Sequence, residues 1–213
     1  MSDPDGDKDM ASASSGSESD DDIDNDAITI EIEKLKEGLK DNPYDYDKYK
    51  ELIELLSKAG ELDELRDTRK KFAEYFPLPS EIWLAWLADE SKLATTNEEK
   101  VAVGELFDKA VKDYVSIEIW LEYCQFSLWQ LALPDGLKDI RAIHERALVA
   151  AGIHGSKGAL IWDAYREFEN CILSQNPSNE EQRARVDKLF RRQLAVPLMG
   201  KSIYCYRGCS HFT

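Results

Sequence analysis

Residues 83–90 read Trp-Leu-Ala-Trp-Leu-Ala-Asp-Glu. The two rings, Trp83 and Trp86, are three positions apart, and Glu90 follows the second ring by four positions. Residues at these spacings share one face of an α-helix. The same pattern returns at Trp162, Tyr165 and Glu169. A helix face with two large rings needs a partner surface, so the stretch predicts a helix packed against neighbouring helices.

The stretch is one copy of a repeat that runs through the chain. The spacing is 37 residues from Tyr46 to Trp83, 37 from there to Trp120 and 42 from there to Trp162. A second aromatic residue follows each of these four by three positions, as Tyr49, Trp86, Tyr123 and Tyr165. A fixed period of this length is typical of stacked helical repeats.

A second helix in each unit repeats as well. Residues 106–111 read Leu-Phe-Asp-Lys-Ala-Val, residues 143–148 read Ile-His-Glu-Arg-Ala-Leu, and residues 189–194 read Leu-Phe-Arg-Arg-Gln-Leu. Ala110 and Ala147 each follow the Trp of their unit by 27 residues. A small side chain allows two helix axes to approach closely while the ring fills the space beside it. We therefore predict tandem helix pairs with these alanines in the interface.

Charge separates a tail from the repeats. The net charge is −15, and residues 1–26 contain nine Asp and one Glu against one Lys. Such a segment has too little apolar surface to offset its ordering entropy, which predicts a disordered acidic tail over 1–26. The repeat domain is predicted over 27–198, and residues 199–213 leave the pattern. Within the domain we expect a leading helix at 27–41 and helix pairs at about 43–77, 80–116, 117–154 and 158–198.

The sequence excludes several classes of protein. It has no run of eighteen apolar residues, so no transmembrane helix is predicted. It also has no Gly-rich phosphate loop and no nucleophile in a Gly-flanked turn. The paired carboxylates fall on predicted exposed helix positions. We therefore predict no enzyme, no cofactor, no small-molecule substrate and no membrane partner.

The cysteines have two interpretations. Cys205, Cys209 and His211 are residue types that ligate zinc, but a closed site needs a fourth ligand from a distant helix. We interpret them as part of a non-native tail and predict no metal site. Cys124 and Cys171 lie on apolar helix faces, which is typical of inert core thiols.

Two charged segments leave alternatives open. A basic cluster lies near the end of the repeats and comprises Arg183, Arg185, Lys188, Arg191 and Arg192. It could bind RNA phosphates or an acidic partner. We favour the alternative that it forms a solvated helix face. The acidic tail is either a solubilising segment or a target of an acidophilic kinase. In the second case the modified residues are Ser15, Ser17 and Ser19, each with an acidic residue three positions later.

The ring pair with its glutamate and the stretch 143–148 resemble half-a-tetratricopeptide (HAT) repeats, over roughly residues 41–198. The resemblance implies an all-α fold, a right-handed α-solenoid of about four HAT helix pairs. HAT proteins are found chiefly in splicing, mRNA 3′-end formation and ribosomal RNA maturation. It therefore implies a non-enzymatic scaffold that binds proteins, with partners on the concave surface.

The acidic leader together with residues 39–45, 76–84 and 191–198 resembles the branch of this family that recycles U4/U6 small nuclear ribonucleoproteins. That likeness implies spliceosomal or deubiquitinase-type protein partners, only indirect contact with RNA, and a nuclear location with the cytoplasm as a second compartment. The alternatives are a 3′-end-processing scaffold, an acidic chaperone-like or ubiquitin-pathway adaptor for basic cargo, and a truncated product without independent function.

Overall fold

The computed structural model describes residues 20–198, with side chains described from residue 27 onward. Over these residues the chain is helical and contains no strand, which confirms the predicted all-α class. The helices are α1 (Asp20–Asp41), α2 (Tyr46–Ala59), α3 (Leu62–Tyr75), α4 (Ser80–Leu93), α5 (Asn97–Asp113), α6 (Ile117–Ser127), α7 (Gly136–Ala151), α8 (Gly158–Gln175) and α9 (Glu180–Ala195), with a 3-10 segment at Leu128–Ala132.

The chain divides into two compact units between Tyr75 and Phe76. The junction reads Phe-Pro-Leu-Pro over residues 76–79. Because proline lacks the backbone N–H and clashes with the preceding turn, a helix cannot run through this stretch. α3 accordingly ends at Tyr75 and α4 begins at Ser80.

The first unit consists of α1, α2 and α3, each packed on the next. Its core joins Leu35 of α1, Leu56 of α2 and Phe72 of α3, all buried. The Asp45 carboxylate caps α2 by accepting from the Lys48 N–H at 3.2 Å. Gly60 ends α2 with φ +75°, a left-handed conformation that glycine adopts without a steric cost.

α1 begins at Asp20, earlier than the leading helix predicted at 27–41. Residues 20–26 belong to the predicted acidic tail but are helical, while residues 1–19 lie outside the described residues. Composition indicates whether a segment can bury enough apolar surface to fold by itself. A helix that is already packed through Ile32 and Leu35 can be extended more easily, because each added residue also adds one backbone hydrogen bond. Acidic residues are also favourable near the amino end of a helix.

The second unit stacks three helix pairs, α4 with α5, α6 with α7, and α8 with α9. Each second helix packs on its own first helix, and α5 and α7 also pack on the first helix of the next pair. The first helices touch one another directly, α4 with α6 and α6 with α8. Within the described chain no comparable contact joins α5 to α7 or α7 to α9. The first helices therefore line the inner side of this unit.

Side-chain caps fix where the helices of this unit begin. Thr96 and Glu99 form a reciprocal capping box at the start of α5. Ser116 and Asn179 cap α6 and α9 through their side-chain oxygens. At the start of α7 only glycine fits, because a Cβ on Gly136 would lie 1.6 Å from the Gln130 carbonyl oxygen.

Candidate docking surface

The residues of the repeat signature lie mostly inside the two units. Seven of the eight aromatic residues are buried, at 2–5% exposure, and they are Tyr49, Trp83, Trp86, Trp120, Tyr123, Trp162 and Tyr165. Tyr46 differs, since it is 36% exposed and meets the Phe72 ring edge-on at 5.1 Å. Ala110 and Ala147 are completely buried. These side chains thus form helix interfaces and leave the docking surface to other residues.

Asp113, which the sequence pattern did not single out, anchors the first ring of the motif. The Trp83 Nε1–H donates to Asp113 Oδ2 at 2.7 Å, and the Leu78 N–H donates to the same oxygen at 2.9 Å. The Trp83 and Trp86 rings are parallel, with centroids 5.1 Å apart. One carboxylate at the end of α5 therefore holds both the ring and the segment that leads into α4.

The two glutamates of the motif have different environments. Glu90 is half-buried and accepts from the Trp86 Nε1–H at 3.3 Å. Glu169 is fully buried and accepts two bonds from Arg141, at 2.8 and 2.9 Å, and one from Gln182 at 2.7 Å. The sequence pattern located both carboxylates but gave no indication of Arg141.

Ion pairs connect successive second helices in one register, which we call the charge ladder (Asp108–Arg146 and Glu145–Arg192). Arg146 lies 2.8 Å from Asp108, and Arg192 reaches both oxygens of Glu145 at 2.7 and 2.8 Å. In the aligned stretches Asp108 and Glu145 occupy one position, and Arg146 and Arg192 occupy the next. The ladder therefore joins second helices that have no comparable direct packing.

Each arginine of the charge ladder also covers a signature ring. Arg146 lies 5.6 Å from the Trp120 ring centre, and Arg192 lies 5.5 Å from that of Trp162. A guanidinium at this distance is attracted to the ring face. Burial raises the pKa of Tyr123 to about 12, so its hydroxyl stays protonated and donates to Asp108 at 3.0 Å. The ladder and the rings thus form one connected structure.

The basic cluster of α9 is largely occupied by partners within the chain. Arg192 belongs to the charge ladder, and the other three arginines bond within α9 or to the loop before it. Those contacts are Arg183 to the Pro177 carbonyl at 2.8 Å, Arg185 to Glu181 at 3.4 Å, and Arg191 to Asp187 at 3.6 Å. Lys188 is exposed. These pairs favour a structural and solvated helix face over a phosphate-binding surface.

The first-helix face of the second unit carries two adjoining grooves. The first-helix groove A, of about 470 Å³, lies between α4 and α6 and is lined by Leu84, Ala88 and Phe126 among others. The first-helix groove B, of about 500 Å³, lies between α6 and α8 and includes Ala164 and Phe168. Both linings are mostly apolar. Such concave, mostly apolar surfaces with a few polar groups are where proteins bind ligands and peptides.

The Cys124 thiol and the His144 ring line groove B, and burial favours the neutral form of both. Burial raises the pKa of the Cys124 thiol to about 12, which keeps it protonated and a poor nucleophile. Burial lowers the pKa of His144, whose Nδ1 lies 2.9 Å from the Ile140 carbonyl oxygen and whose ring stacks on Tyr165. Cys171, predicted as a core thiol, is instead exposed at the rim of this groove. The arrangement supports binding of a partner surface.

Several sequence predictions fall outside the described residues. These are the phosphorylation sites Ser15, Ser17 and Ser19 and the tail residues Cys205, Cys209 and His211. Between residues 20 and 198, no three His, Cys, Asp or Glu side chains are grouped so that they could hold a metal ion. In the same range no helix has the length and apolar character needed to cross a membrane.

The stacked helix pairs, with buried ring pairs on the first helices and small residues on the second, agree with a family comparison. The family described as the PRP39 N-terminal HAT repeat matches residues 33–207. The chain belongs to the HAT repeat family. The HAT signature seen in the sequence is therefore confirmed, and the helix pairs of both units are HAT repeats.

Individual HAT proteins are similar over most of this chain. The mouse and human proteins called spliceosome associated factor 3, U4/U6 recycling protein, are 47% and 46% identical over 172 residues, which cover 79% of this chain and 17% of each relative. The mRNA 3′-end-processing protein RNA14 of Yarrowia lipolytica is 24% identical over 177 residues, or 79% of this chain and 21% of that protein. The HAT repeats described here thus correspond to less than a quarter of the length of these relatives.

Proposed function

We propose that this chain is a non-enzymatic protein-interaction scaffold in nuclear RNA processing, and that it acts in splicing, in the recycling of U4/U6 small nuclear ribonucleoproteins. The observation that carries the proposal is the 47% identity over 172 residues to a U4/U6 recycling protein. The partners are proteins of the spliceosomal or deubiquitinase type, and RNA is reached through them. The nucleus is the location in which this function would be carried out.

The pairing of charged groups within and between the repeats supports a scaffold role. Glu169 and Arg141 are engaged with each other, and the ionic groups of the charge ladder are paired between repeats. The solvent-facing grooves of the first helices are mostly apolar. The paired charges hold the repeats together, and an apolar face remains uncovered beside them. This combination favours binding of another protein over chemical conversion of a substrate.

A second candidate is a scaffold in mRNA 3′-end formation. The observation that favours it is the similarity to the RNA14 protein of Yarrowia lipolytica, which is 24% identical over 177 residues. The lower identity, compared with 47% for the mouse recycling protein, places it second.

The experiment that tests the proposal is an affinity purification from nuclear extract with the full chain as bait, followed by mass spectrometry. Recovery of U4/U6-associated proteins or deubiquitinases supports the splicing assignment, and recovery of cleavage and polyadenylation proteins supports the second candidate. Recovery of neither group overturns both. A bait with Glu169→Ala, which leaves Arg141 without its buried counterion, serves as the destabilised control.

A further inference from the structure

The two first-helix grooves adjoin each other at α6. Glu122 and Gln125 belong to both linings, so the exposed ridge of α6 separates groove A from groove B. Both residues are exposed to solvent. A partner that enters both grooves must therefore cross this ridge and come close to the Glu122 carboxylate.

The charged side chains that line the two grooves are acidic. The charged side chains in the two linings are Glu122 and Glu167, and neither lining contains a Lys or an Arg. Among the described residues, neither carboxylate forms an ion pair or a side-chain hydrogen bond. The carboxylates of the charge ladder and of the buried Glu169, by contrast, all have basic partners. Two unpaired carboxylates therefore lie beside the uncovered apolar surface.

From this geometry we propose that grooves A and B bind an amphipathic helix of a partner protein, with one large apolar side chain in each groove and a Lys or Arg between them over Glu122. The proposal rests on the proposed scaffold function and specifies the chemistry of its partner. Charge complementarity favours a basic segment, because an acidic peptide or a nucleic-acid phosphate would meet Glu122 and Glu167 without a compensating cation.

The spacing of the grooves sets the spacing of the anchors. Packed helices lie about 8–10 Å apart, so grooves on either side of α6 are separated by roughly the same distance. In an α-helix, residues seven positions apart are about 10 Å apart along the axis and lie on one face. The partner helix thus carries its apolar anchors about seven residues apart, with the basic residue three or four positions after the first.

The test uses the purified full chain and a display library of random peptides as the probe. We expect enrichment of peptides with two large apolar residues about seven positions apart and a Lys or Arg between them. A selected peptide should bind at least about tenfold more weakly to Glu122→Lys, because an attractive contact becomes a repulsive one. The matched control is Glu105→Lys, an exposed carboxylate on α5 that lines neither groove, and it should leave affinity within about twofold.

A second variant tests the grooves without changing charge. Ala164→Trp places a large ring in groove B and should reduce binding of the same peptide by about tenfold or more, while circular dichroism reports an unchanged helix content. Absence of enriched peptides, enrichment of acidic peptides, or equal binding by wild type and Glu122→Lys would each overturn the inference.

The two proposals fail in different ways. If nuclear extract yields U4/U6-associated proteins equally with the wild-type and Glu122→Lys baits, the splicing function stands and the groove inference is wrong. If basic amphipathic peptides bind the grooves but the extract yields no RNA-processing protein, the groove inference stands and the splicing function is wrong.

Discussion

Arg141 and Glu169 form a bidentate ion pair between α7 and α8, with N–O distances of 2.8 and 2.9 Å. The Glu169 side chain has no solvent exposure, and Gln182 of α9 donates to the same carboxylate. A buried carboxylate is costly unless its oxygens are satisfied by charged or polar donors. Three helices of two HAT repeats therefore meet at one buried carboxylate, and both of its oxygens accept hydrogen bonds.

Loss of this carboxylate should be strongly destabilising. Glu169→Ala leaves the partly buried Arg141 without its counterion, and we expect a decrease of about 3–5 kcal/mol in the free energy of unfolding. Urea denaturation followed by circular dichroism measures it. The control is Glu167→Ala, an exposed position on the same helix, which should change stability by less than about 0.5 kcal/mol. Equal effects of the two substitutions would contradict this role.

A larger side chain at the buried alanine position of the second helices should destabilise the protein. Ala147 is completely buried, so Ala147→Leu inserts atoms into a packed interface and should cost about 1–3 kcal/mol. Ala150→Leu on the same helix is exposed and should be nearly neutral. Thermal unfolding compares the two proteins. A melting temperature of Ala147→Leu at or above that of Ala150→Leu would show that the interface has room.

His144 should make stability depend on pH. Burial holds its pKa below the ordinary value, whereas in the unfolded chain the ring protonates near pH 6.5. The contribution of the neutral His144 ring to the free energy of unfolding is complete above the unfolded pKa. It is lost as the pH falls below about 6.5 towards the folded pKa, because only the unfolded state takes up the proton. The aligned positions in the other repeats are Phe107 and Phe190.

His144→Phe should therefore remove this loss while keeping the ring stacked on Tyr165. We expect the wild type to lose more stability than the variant between pH 7.5 and pH 5, as measured by denaturation at each pH. Parallel pH profiles of the two proteins would contradict the assignment of this dependence to His144.

The charge ladder should give a smaller and salt-dependent effect. The hydrogen bond from Arg192 holds the pKa of Glu145 below its ordinary value. The stabilisation is present above the unfolded pKa of about 4.3 and is lost as the pH falls through the folded pKa. Both side chains are about 40% exposed, so Glu145→Gln should cost less than about 1 kcal/mol at pH 7.

The measurement is the difference in melting temperature between wild type and Glu145→Gln at pH 7 and at pH 3, each at low and high salt. The difference should be largest at pH 7 in low salt and should shrink as the pH falls below about 4.3 towards the folded pKa. Glu105→Gln, an exposed carboxylate without a role in the ladder, should show no such pattern. A difference that is the same at pH 7 and pH 3, and at low and high salt, would mean that the effect is not electrostatic.

The sequence could predict the helix class because periodic rings and alanines report helix faces directly. It could not predict Asp113 or Arg141, since these side chains meet residues 28–35 positions away and the pairing depends on how helices stack. The charge ladder was visible in principle, because Asp108 and Glu145 occupy one aligned position and Arg146 and Arg192 the next. The grooves are a property of packed surfaces, and no linear motif marks them.

The ladder also favours one order of the repeats over another. In each step the acid belongs to the earlier second helix and the arginine to the later one. α9 has Arg191 at the aligned acidic position. If the pairs α6–α7 and α8–α9 were exchanged, Arg191 would stand opposite Arg146, and like charges would replace an ion pair. A permuted chain of identical composition would thus be weaker at that joint, so the succession of repeats is itself part of what the sequence encodes.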